Sequence, residues 1–144
     1  MLADSPALQD AGIAKIKALL TGARPGLIAG AKELGSTMRQ PLHLGAEVPN
    51  RGPAFTKLAD DVKALRTKVM ATAVEGSAAL NAKDLAARAL LETEQALSAL
   101  ADSYTEYDEA SRTKFLAESV RLLKAAKVTG TAAGKALGIP WPLQ

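Results

Sequence analysis

Cysteine is absent from the 144 residues, and histidine appears once, at His43. A disulfide framework, a thiolate nucleophile, a zinc cluster and a cysteine-held iron–sulfur centre are therefore excluded. Aromatic residues are scarce, 3% of the chain, although 48% is hydrophobic. The difference is made up by 30 alanines and 21 leucines. Much of the apolar surface is thus methyl groups rather than large knobs, a composition that favours closely packed helices. Long apolar runs are missing too. Residues such as Lys15, Lys17, Lys32 and Glu33 interrupt every candidate stretch, leaving no window of about eighteen apolar residues for a membrane span; a soluble or peripheral protein is expected. Met1-Leu2-Ala3-Asp4 places acid before base with no apolar stretch behind it, so no secretory peptide is expected. Cysteine usage does not choose a compartment.

The length suits one domain with one core. A net charge of +3 is a weak mean field, but its distribution is uneven. Residues 1–53 carry 6 basic and 4 acidic side chains, 54–81 carry 4 and 3, 82–110 carry 2 and 7, and 111–144 carry 6 and 1. An acidic stretch is followed directly by a basic one.

Gly and Pro recur from Pro6 to Pro53, whereas neither occurs from Ser77 to Thr129. The architecture is therefore expected to change near residue 53, giving short helices and an extended connector over 1–53, a core bundle over 54–128 and a tail over 129–144, in which Thr131 to Leu137 suits a turn or two of helix that Pro140 ends. Leu8, Ile13, Ile16, Leu19 and Leu20 suit one face of a short helix ending at Gly22, weakened by Gly12. Leu27 to Met38 suits a second, with Pro25 near its start. Gln40 to Gly52 reads as a connector laid along the bundle through Leu42, Leu44 and Val48.

The pattern then sharpens. Phe55, Leu58, Val62, Leu65, Val69, Thr72 and Gly76 alternate steps of three and four, a narrow seam for helix-on-helix packing, and Pro53 suits the first turn. Asn81 with Asp84 reads as a cap, starting the next helix near Ala82. That helix aligns Ala86, Leu90, Leu97, Leu100, Tyr104 and Tyr107, leaving Glu92, Glu94, Asp102 and Glu106 for solvent. Phe115, Leu116, Val120, Leu122, Leu123 and Ala126 extend the apolar set to about Val128. The polar stretch Tyr104 to Thr113 predicts a break, with Asp108 or Ser111 as N-cap; one uninterrupted helix over 82–128 is the alternative. The fold class expected is all-α, an up-and-down helical bundle of three to four main helices.

No catalytic constellation emerges. Asp60 with Asp61 and Glu92 with Glu94 are too close in sequence to share a helix face, and His43 has no partner that would make it a general base. A di-iron bundle needs two Glu-x-x-His motifs, which one histidine cannot supply. Asp102, Glu106 and Glu109 have spacing compatible with a hard cation, but loose carboxylate clusters are common on helix surfaces and no metal site is expected from them. No glycine-rich loop ends in Gly-Lys-Ser or Gly-Lys-Thr. Catalytic, cofactor and metal residues are therefore expected to be none.

Two features bear on binding. Arg112, Lys114, Arg121, Lys124 and Lys127 form a basic region that suits an anion or phosphate backbone, or that complements acidic 82–110. Ile139-Pro140-Trp141-Pro142-Leu143 is a rigid segment whose tryptophan either caps the protein's own groove or anchors in a partner. Trp141, Ile139, Leu143, Leu42 and Leu44 are accordingly the protein-binding candidates.

Leu97-Ser98-Ala99-Leu100-Ala101-Asp102-Ser103-Tyr104-Thr105-Glu106-Tyr107-Asp108 resembles the end of the second helix in small helical-hairpin proteins exported by mycobacterial type VII secretion. In that family a Tyr followed four positions later by Asp or Glu helps form a secretion signal, which Tyr104 and Asp108 match by position. The resemblance covers about a tenth of the chain and implies export by a type VII-like system; no Trp-x-Gly accompanies it at a hairpin turn. From the residues themselves, the leading expectation is a non-catalytic accessory or assembly subunit. It would bind a larger protein complex through apolar helix faces and irregular termini. Association with nucleic acid through 112–127 is the alternative, and a homo-oligomer is compatible with either.

Overall fold

The computed structural model describes residues 11–38, 52–103 and 108–141, with side chains over 11–32, 53–103 and 108–141. Helix α1 spans Ala11–Met38, α2 Gly52–Ala71, α3 Ser77–Ser103 and α4 Glu109–Leu137. No strand occurs among the described residues. The arrangement is the expected all-α bundle, in which each helix packs chiefly on its neighbour in sequence. Helix α3 lies between α2 and α4, and α1 covers α2 with a smaller contact to α3.

Alanine explains the central position of α3. Ala79, Ala82, Ala86, Ala89, Ala96, Ala99 and Ala101 are buried along it, together with Leu90 and Leu97. Methyl-sized side chains let two helices approach at little cost in side-chain entropy. The α2 seam supplies the larger knobs, Phe55, Leu58, Val62, Leu65 and Val69, all buried in one cluster with Ile13, Ile16, Leu20 and Leu27 of α1. The seam ends at Val69, short of the expected Thr72 and Gly76. Thr72 is half-buried and Gly76 is exposed in a left-handed turn at φ 85°.

Helix α1 corrects the reading of two short helices, since it runs through Gly22, Pro25 and Gly26 without interruption. Leu20 and Leu27 lie on either side of Pro25, are 0% and 4% exposed, and share the α2-facing side. Burial of two leucines, about 1.5–3 kcal/mol each, offsets the roughly 3 kcal/mol that an internal proline costs. Gly12 also has a packing role: a Cβ there would lie 1.9 Å from the Ala73 carbonyl oxygen, so its small size lets α1 meet the α2–α3 loop. At the other end Gly30 approaches Leu58. The two contacts make α1 and α2 antiparallel.

Helix α3 starts at Ser77 rather than Ala82. The Gly76 carbonyl accepts the first bond, from the Leu80 N–H at 3.0 Å, and the earlier start buries Ala79. Asn81 is therefore an exposed residue within the helix, not its cap. The break before α4 follows the expectation. Asp108, at φ −81° and ψ 125°, accepts from the Ser111 backbone N–H at 3.2 Å and from its hydroxyl at 3.0 Å. These hydrogen bonds hold the Asp108 carboxyl below its ordinary range.

The expected boundary near Val128 is also moved, because α4 continues to Leu137. It stops at Gly138, whose φ of 71° frees its N–H for Lys135 and lets the Ile139 N–H reach the Gly134 carbonyl at 3.0 Å. This pairing is a Schellman C-cap. Residues 129–137 thus belong to the bundle, and only the chain from Gly138 onward is a tail.

Candidate functional site

Two adjacent pairs, Phe115-Leu116 and Leu122-Leu123, govern the surface of α4. Neighbouring residues point about 100° apart on a helix, so both members of a pair cannot face α3. Leu122 and Ala126 are buried, as is Ser119 one turn before Leu122, at 1% exposure and with its hydroxyl bonded to the Leu116 carbonyl. Phe115 is half-buried. Leu116, Val120 and Leu123 fall on the flank instead and are 46%, 49% and 43% exposed. Their spacing of four and three forms one line along the helix. The sequence shows these three as part of the apolar set that extends to about Val128, and its doubled apolar pairs are the signal that the set is too wide for one buried face.

Farther along α4 the same flank is covered. Lys127 continues the line, followed by Gly130 and Gly134, and the tail folds over these two glycines. A Cβ on Gly130 would lie 2.5 Å from Trp141 Cδ1 and 2.6 Å from its Nε1, and one on Gly134 would lie 2.7 Å from the Ile139 carbonyl oxygen. Trp141 is 3% exposed and belongs to the common core cluster, with Ile139 packed against it. Of the two roles read for the tryptophan, the structure places it in the first, capping its own bundle. Leu143, Leu42, Leu44 and His43 lie outside the described residues, as do Tyr104, Glu106 and Tyr107.

The five basic residues are all exposed, but they do not form one patch. At about 100° per residue they spread over roughly 200° of the helix circumference. Arg112, Lys124 and Lys127 border the apolar line, whereas Lys114 and Arg121 turn to the far side. Arg121 is bound there by Glu118 through two contacts, one of 3.0 Å from Nε. That hydrogen bonding lowers the Glu118 pKa and raises that of Arg121. The far side is thereby partly neutralised.

Helix α3 contributes acids near the seams. Glu94 pairs with Arg66 of α2 at 3.1 Å with both side chains largely covered, and Glu92 buries Oε1 without a hydrogen-bond partner. Asp60, Asp61, Asp102 and Glu109 are exposed. Among the described residues no three His, Cys, Asp or Glu side chains gather as a metal site, and no helix is long and apolar enough to cross a membrane. No family model, curated protein or solved structure matches the chain.

Proposed function

We propose that the chain is a non-catalytic accessory or assembly subunit that attaches to another protein through the uncovered flank of α4. One observation carries the reading: Leu116, Val120 and Leu123 remain 43–49% exposed in helical register, while alanines occupy much of the buried face of α3. Aligned aliphatic side chains left to water are a feature of surfaces that acquire a partner. The tail supports the bundle from within, so binding is assigned to the flank rather than to Trp141.

Site-specific photo-cross-linking in an extract of the native source tests this. A photoreactive residue at position 120 is expected to join the chain to another protein, whereas one at exposed position 67 on α2 is not. Equal yields from both positions, or none from 120, would overturn the proposal.

A further inference from the structure

The apolar line has a charged border as well as a centre. Arg112 lies one turn before Leu116, Lys127 lies seven residues beyond Val120, and Lys124 flanks Leu123; all three are exposed. Glu109 is the acid of this flank, at its N-terminal end, because Glu118 is held on the far side by Arg121. The aliphatic stems of the lysines widen the apolar strip while their ammonium groups rim it. The line from Leu116 to Lys127 is straight and about 16 Å long, a ridge that another helix can straddle.

We infer that the occupant of this flank is an acidic amphipathic helix of another protein, apolar at three- and four-residue spacing and bordered by carboxylates. The inference rests on the protein-binding reading above and adds the partner's chemistry. Charge decides among the occupants. Two copies packed α4 against α4 would bring Arg112, Lys124 and Lys127 of each together, and among the described residues of this flank of α4 the two Glu109 alone would balance them, an arrangement that repels. A phosphate backbone would meet an apolar centre, with Arg112 and Lys127 standing at its two ends and Lys124 beside it. A helix with carboxylates on its borders satisfies the centre and the rim at once.

The test uses the full chain and two synthetic helical peptides of about five turns. They share leucines at three- and four-residue spacing and differ in carrying Glu or Lys on the borders. Binding is followed by fluorescence anisotropy and located by amide shifts. The Glu peptide is expected to bind with shifts confined to 112–127, and raising salt from about 50 to 300 mM is expected to weaken it. Lys124→Glu with Lys127→Glu is expected to weaken it roughly fivefold to tenfold, whereas Lys114→Glu on the far side leaves it unchanged. Val120→Asp abolishes it with the melting temperature retained. Equal or tighter binding of the Lys peptide, shifts elsewhere, or a Val120→Asp-sensitive dimer in sedimentation each overturns the inference. Binding of neither peptide does so as well, yet a position-120 cross-link would then leave the protein-binding reading standing.

Discussion

Glycine-to-alanine substitutions within α1 have opposite signs at different positions. Nothing lies within 4 Å of a Cβ built on Gly22 or Gly26, so Gly22→Ala and Gly26→Ala are each expected to stabilise the fold by up to about 1 kcal/mol. Gly12→Ala drives a methyl group into the Ala73 carbonyl and is expected to lower the melting temperature. Thermal denaturation of the three variants checks both directions. Gly130→Ala presses on the ring of the chain's single tryptophan. Its expected signature is a red-shifted emission with easier collisional quenching, which an unmoved Trp141 would contradict. Asp108 supplies a pH signature. Its carboxyl is lowered from 3.8 by Ser111, so its contribution is present above the unfolded-state value and is lost as pH falls through the lowered one. The difference in melting temperature between wild type and Asp108→Ala should therefore shrink below about pH 4. Asp108→Asn keeps an acceptor for the cap and removes the titration.

Among the elements, α1 departs most from local preference. The helix passes through Pro25, an exposed residue without an N–H for the preceding turn, because Ile16, Leu20 and Leu27 have a seam on α2 to fill. Pro25→Ala is expected to raise helicity and stability, by no more than the roughly 3 kcal/mol that an internal proline costs; an unchanged circular-dichroism melt would show that α1 has already absorbed the defect. The same element shows where sequence reading stops. Phe55 to Val69 were legible as a seam because large residues at steps of three and four leave one solution. The continuity of α1 and the start of α3 were not legible, since burial against α2 overrode proline and a glycine turn replaced a side-chain cap. On α4 the hydrophobic residues were identified, but their division between core and flank depended on which neighbour helix came to lie beside them.

At the scale of the whole molecule, the packing order predicts a gradient of stability. Helix α3 is enclosed between α2 and α4, whereas α1 rests mainly on α2. Amide hydrogen exchange is expected to be slowest in α3 and faster in α1; uniform protection across the four helices would contradict this. The all-α bundle itself could be read from composition and periodicity, because alanine-rich helices with no strand pattern have few alternatives. The candidate flank could not, since a sequence states which residues are apolar and not which of them the fold leaves uncovered.

The seat beneath Trp141 and the open stretch from Leu116 to Leu123 share one azimuth on α4, because Gly130 stands seven residues beyond Leu123. Their alignment depends on an unbroken count of residues between them. A single inserted residue there would swing the two zones apart by about 100°, while an inserted heptad would lengthen the rod and leave them aligned to within about 20°. The spacing between Leu123 and Gly130 is therefore a clock setting for this molecule, one that amino-acid identity alone would not disclose.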